Sequence, residues 1–159
     1  MEFYTIGVYN STEEEFFNKL LENEIDTFCD IRQRRGVRGS KYSFVNSTKL
    51  QKKLNDLEIK YGHIIGLAPN EAIRNLQKET DLINRELKSK REKLGEIFTL
   101  EYRNKILENF DFENLIENLE QIGANKIAFF CVEENHEACH RSIVANKLKE
   151  LYNYNIKHL

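Results

Sequence analysis

Reactive residue types crowd a single stretch of this sequence, KIAFFCVEENHEACHRSIVANKLK, from Lys126 to Lys149. The apolar run Ile127 to Phe130 ends in Cys131 and Glu133, and a short polar loop leads on to Cys139, His140, Arg141 and Ser142. A strand giving way to a helix is the expected local structure, which puts the last four residues in a helix's opening turn. Such a turn presents unsatisfied backbone N–H groups and the positive end of the helix dipole, and so accepts an anion. An arginine there adds a planar fork for carboxylate or phosphate. A cysteine there gains thiolate character. The plain structural alternative is that Cys139 packs, His140 is exposed, and Arg141 pairs with Glu133 or Asp30.

Two other chemistries use these residue types. A thiol leaving a buried strand, followed by a loop and a helical arginine, is the layout of Cys-dependent phosphatases and rhodanese-like sulfurtransferases. The span from Cys131 to Arg141 is longer than their tight loops, and Glu133, Glu134 and Glu137 within it repel a phosphate. Zinc accepts sulfur and imidazole, and Cys131, His136, Cys139 and His140 lie within ten residues. No C-x-x-C pair occurs, however, and Cys131 is explained as the core end of a strand, so no metal is expected. These residues name no cofactor.

Further polar groups follow two other apolar runs. Asp30 and Arg32 come at the end of Ile25 to Ile31, and Tyr61 and His63 at the end of Glu58 to Gly66. Asp30, Glu133 and His140 are the candidate acid/base groups. Arg32, Tyr61, His63, Tyr102, Cys131, Cys139, Arg141 and Ser142 are the candidate ligand-binding set. The loop after Arg32 carries Arg34, Arg35, Arg38 and Lys41 with no acid among them, beside Tyr42 and Phe44. Cations mixed with aromatics suit phosphates and stacked bases, so a nucleotide or nucleic acid is one expected partner. The alternatives are a solvated surface loop, or a non-enzymatic nucleic-acid or protein-binding module in which the Asp/Arg/Cys/His network is structural.

The elements that must position these groups alternate. Strands are predicted over Phe3 to Val8, Ile25 to Ile31, Glu58 to Gly66, Lys126 to Val132 and Asn155 to Leu159. Ser11 or Thr12 caps a first helix with Glu14 or Glu15 as capping-box partner. Ser47 to Leu57 is a second helix and Cys139 to Tyr152 the last. Asn70 to Gly95 is a charged, helix-prone stretch with a sparse apolar face that could serve as a lid. Two further helices centre on Phe98 and Tyr102, and on Phe112 to Leu119. Alternating strands and helices imply a single α/β domain: a mainly parallel central sheet of about five strands with helices on both faces. The carboxyl ends of those strands then share one edge, where ligand sites of open α/β sheets form.

Composition narrows the class. The 159 residues fit one domain, and 40% hydrophobic with 31% charged residues describes a globular chain. No apolar run reaches the roughly 20 residues a membrane span needs, and no leader pattern opens the sequence. A cytoplasmic protein with no membrane partner is expected. Three cysteines make a poor disulfide framework. A net charge of -2 excludes bulk binding to polyanions and leaves only a local basic patch.

The chain resembles the DUF488 family, small α/β proteins of uncharacterised function. The likeness rests on YTIG (Tyr4 to Gly7), on Asp30 and Arg32, on YSF ending at Phe44, and on YGH (Tyr61 to His63). It continues through the F-x-x-x-Y of Phe98 and Tyr102 to C-x-E…CHRS, from Cys131 to Ser142. The chain departs from the family pattern at Gln33 to Gly36, where a proline is usual, and at Ala68, where a glycine is usual. The resemblance implies a shared pocket at the strand ends and brings no established reaction.

Overall fold

A computed structural model describes residues 1–159, apart from the side chain of Ser89. The chain opens with β1 (Glu2–Ile6), α1 (Glu13–Glu22) and β2 (Thr27–Asp30). After a long basic loop come α2 (Ser47–Asp56), β3 (Lys60–His63), α3 (Glu71–Asn84), α4 (Glu96–Lys105) and α5 (Phe112–Gln121). The chain finishes with β4 (Lys126–Phe130), α6 (His140–Tyr152) and β5 (Ile156–His158).

Local chemistry sets most boundaries. Thr12 caps α1 through the Glu15 N–H while the Glu15 side chain bonds back to Thr12, the reciprocal box the sequence suggests. Asn70 and Asp111 cap α3 and α5 with the side-chain half of that arrangement alone, accepting from the Ile73 and Asn114 N–H groups. Gly123, at φ +67°, lets the chain leave α5 and turn into β4. The strands are shorter than their apolar runs. Ile65 and Gly66, expected at the end of the third strand, belong instead to a 3₁₀ turn, Ile65–Leu67. The charged stretch after Asn70 is also interrupted: α3 stops at Arg85 in a left-handed conformation, and a 3₁₀ turn, Lys88–Lys90, precedes α4.

All five strands run parallel, in the order β3-β2-β4-β1-β5. Alternate side chains feed two cores. On one face Tyr4, Ile6, Phe28 and Phe130 pack against Phe16, Phe17 and Leu20 of α1 and Leu50 and Leu54 of α2. On the other, Phe3, Cys29, Ile127 and Phe129 pack against α4, α5 and α6. Both faces are therefore covered, and burying each large apolar side chain contributes about 1.5–3 kcal/mol. Among the described residues no helix is long and apolar enough to cross a membrane.

The order places the site. The chain leaves β1 and β2 into helices on one face, but leaves β4, which lies between them, into α6 on the other. Connections that part in opposite directions open a crevice above the carboxyl end of the central strand. Register aligns the rim of that crevice: Phe130 sits beside both Ile6 and Asp30, and Asp30 beside His63.

Candidate functional site

Past β4 the chain stays pinned to its neighbours. The Cys131 N–H bonds the Ile6 carbonyl at 3.3 Å, and the Val8 and Tyr9 N–H groups bond the Val132 carbonyl at 3.2 and 3.0 Å. Gly7 lies so close that a Cβ built on it would fall 1.9 Å from the Glu133 carbonyl oxygen. Arg141 holds the same loop from beneath. Its Nη1 donates to the Glu133 carbonyl at 2.6 Å and its Nη2 to the Glu134 carbonyl at 2.8 Å, with the residue only 1% exposed. Two nitrogens of the guanidinium predicted to bind a ligand are thus occupied by backbone, Nε is buried with no partner among the described residues, and the residue does not line the cavity. Ser142 likewise donates its hydroxyl to the Cys139 carbonyl at 3.0 Å.

The loop delivers three soft donors to one point. Cys131 Sγ, Cys139 Sγ and a His140 ring nitrogen all lie within 4.8 Å of one another, and all three residues are buried. Cys139 Sγ stands 3.8 Å from His140 Nδ1, while His140 Nε2 meets the Ile31 carbonyl at 3.1 Å. A carbonyl only accepts, so Nε2 carries the proton and Nδ1 faces the thiols. The Tyr102 ring packs edge-on against the imidazole at 5.5 Å. The Cys131 thiol also reaches Glu133 Oε2 at 3.2 Å.

The two thiols titrate apart. Burial raises the Cys139 thiol, but the neighbouring Cys131 thiol and the His140 and Arg141 charges outweigh it and hold it well below the ordinary value. Cys131 moves up, through the Cys139 sulfur beside it and through burial. The Glu133 carboxyl is raised by burial and by Cys139, against the pull of Lys88. Cys29, inside the opposite core, is pushed up to about 12 by burial.

Asp30, a candidate acid/base group, is completely buried and fully engaged. Oδ1 accepts from the Arg32 backbone N–H at 3.1 Å and from Nε at 2.9 Å; Oδ2 accepts from Nη2 at 2.7 Å and from the Tyr61 hydroxyl at 3.1 Å. Arg32 Nη2 also reaches the Val45 carbonyl, and the guanidinium lies over the Phe130 ring. His63 holds the Arg32 carbonyl at 2.9 Å. This network braces the strand end and leaves one donor over: Arg32 Nη1 is buried with no partner among the described residues.

Above these groups lies a cavity of about 660 Å³, with Cys131, Glu133, Cys139 and His140 in its wall. The loop after β2 contributes Arg32, Arg34 and Arg38, and the stretch after β3 contributes Arg74, Lys78, Lys88 and Arg91. Against these seven cations stand three carboxylates, Glu71, Asp81 and Glu133. Tyr9 and Tyr42 line the cavity as a tilted pair 5.3 Å apart. Tyr61, His63, Tyr102, Arg35 and Lys41 do not line it. Tyr102 is a core residue whose hydroxyl donates to the Leu67 carbonyl at 2.5 Å, and burial holds its pKa well above the ordinary value.

Arg91 is a cavity-lining side chain that sequence reasoning misses, as it does Arg74, Lys78 and Lys88. It donates to Asp81 at 2.8 Å, to Glu133 at 3.4 Å and to the Ala138 carbonyl at 2.9 Å, tying the charged stretch to the loop after β4. Its neighbours Lys88, Lys90 and Lys93 are equally charged, so nothing in the pattern marks it out. His136, grouped by spacing with the thiols, instead stacks on His158 at 3.7 Å.

No curated protein and no solved structure matches this chain. The resemblance carried by C-x-E…CHRS does have a counterpart at the level of the whole domain. A family model described as Domain of unknown function DUF488 matches residues 12–148 of the 159. It spans α1 through most of α6, with every group in the wall of the cavity except Tyr9, and the chain belongs to the DUF488 family.

Proposed function

We propose that the cavity above β4 binds a phosphate-bearing anion of nucleotide size. The observation that carries this reading is the excess of cationic side chains around a half-open cleft of about 660 Å³, a volume typical of small-molecule sites. Arg32 supports it with a buried N–H donor that has no acceptor; a phosphate oxygen supplies one, and leaving such a donor unpaired costs about 1–3 kcal/mol. Tyr9 and Tyr42 offer aromatic faces on which a base can stack.

A Cys131 nucleophile has less support. Its sulfur faces the Glu133 carboxylate at 3.2 Å, and that charge opposes an incoming phosphate. The anion's contacts are assigned instead to Arg38, Arg74 and Arg32, whose side chains come from two separate segments.

The test is equilibrium binding of nucleoside mono- and diphosphates and of a short single strand, at several salt concentrations. Binding is expected to weaken as salt rises. Arg38→Ala and Arg74→Ala, both near the surface, are expected to weaken it by about tenfold each without a shift in melting temperature. An affinity indifferent to salt and to both substitutions overturns the reading. Binding of the strand but of neither nucleotide would move the ligand from nucleotide to nucleic acid.

A further inference from the structure

We propose that Cys131, Cys139 and His140 form a site for a thiophilic divalent cation of the zinc class, with its fourth position open to the cavity. Sequence spacing argues against a metal because the cysteines are eight residues apart and lack the usual paired motif. The fold removes that objection. It brings a residue past the end of β4 and the residue preceding α6 to the same point, and puts the neighbouring imidazole beside them.

The distances suit the ion. Tetrahedral zinc, with bonds of about 2.3 Å to sulfur and about 2.0 Å to nitrogen, separates its sulfur and nitrogen ligands by about 3.5 Å. Cys139 Sγ and His140 Nδ1 are 3.8 Å apart, and the whole set lies within 4.8 Å. A small closure, not a rearrangement, completes the site.

The surroundings suit it as well. Metal-bound imidazoles ordinarily donate their other N–H to a carbonyl or carboxylate, which fixes tautomer and ring orientation. His140 does this through Nε2 to the Ile31 carbonyl, and Tyr102 holds the ring from the side. Charge closes too. Two thiolates neutralise a divalent ion, so the buried site carries no net charge, while Glu133 already has Arg91 and Lys88 as partners. All three ligand residues line the cavity. Three protein ligands with an open position are the pattern of zinc sites that take up water or a ligand atom. The site does not depend on the anion reading: it needs only the three side chains.

The full chain, reduced and stripped of metal with a chelator, is titrated anaerobically with cobalt(II) and then with zinc. The expected result is one cobalt per chain, with thiolate-to-cobalt charge-transfer absorption and the visible bands of a tetrahedral site, both lost on adding zinc. Cys131→Ser, Cys139→Ser and His140→Gln are each expected to weaken zinc binding by more than about 100-fold, beyond what an outer-shell change costs. Cys29→Ser and His136→Gln should leave it unchanged. Circular dichroism checks that each variant folds. Where a serine variant does not, the cobalt spectrum of the parent and the His140→Gln affinity decide. No charge-transfer band in the parent, or metal uptake that survives loss of the thiols, overturns the site. So does a Cys131–Cys139 disulfide in the purified protein that, once reduced, takes up no metal. Arg38→Ala and Arg74→Ala should bind cobalt normally, so either proposal can fail while the other stands.

Discussion

Arg141 sends two N–H groups to the carbonyls of Glu133 and Glu134 from a position closed to solvent. Its replacement by alanine strands two carbonyls, each costing about 1–3 kcal/mol when left unpaired, and opens a cavity beneath the loop. Arg141→Ala is therefore expected to lower unfolding stability by about 3–5 kcal/mol, as measured by denaturant titration. Lysine should not restore it, because a single ammonium cannot reproduce the planar fork. A variant that stays within 0.5 kcal/mol, roughly the range of surface substitutions, would show that the loop needs no such brace. The identity of this residue as special was legible from its place beside Cys139 and His140; its role was not. Spacing along the chain puts an arginine at a helix start, but only the path of the preceding loop decides whether carbonyls or a ligand meet it.

At the scale of elements, the site exists because β1 and β4 run side by side beyond their last paired residues. Gly7 permits that approach, since any side chain there enters the Glu133 carbonyl. Gly7→Ala is expected to push the two segments apart at a cost of about 3 kcal/mol, the upper part of the overpacking range. The displacement falls on Cys131 and Glu133, so cobalt uptake should drop with stability. A thermal melt and a cobalt titration on the same sample check both, and an unchanged melt would contradict the close approach. Helix starts were readable because caps are local: Thr12 with Glu15 needs only four residues. The break after α3 was less readable, because charge and helix propensity continue past Arg85 while tertiary bonds of Gln77 and Arg91 hold the turn.

For the whole molecule, the closing strand is tied down by an imidazole with an acid-sensitive balance. His158 on β5 bonds Thr5 on β1 at 2.7 Å and stacks on His136. Partial desolvation of this exposed ring, then His136 and Arg141, lower its pKa to about 4. The unfolded chain, with histidine near 6.5, binds more protons between those values, so stability rises with pH there and is lost as pH falls from about 6.5 towards about 4. Melting temperature measured across that window should decline more steeply for the parent than for His158→Gln, and the two curves should run parallel above pH 7.5. Equal slopes throughout would remove His158 as the source.

The sequence by itself determined the class of this protein. Apolar runs alternating with amphipathic helices require a parallel sheet covered on both faces, and such a sheet gathers Asp30, His63 and Cys131 at one edge. It also marked where reactive residue types concentrate, since Cys131, Cys139 and His140 are distinctive in type and close in the chain. Tertiary structure alone decided the strand order, because crossover lengths do not say which strand becomes the neighbour. It alone decided that Asp30 and Arg141 face protein while Arg91, sixty-one residues further along than Asp30, faces the cavity. The physical reason is the same in each case. Residue type sets what a group can bond, but its partner is chosen by whichever polar atoms the fold leaves buried beside it.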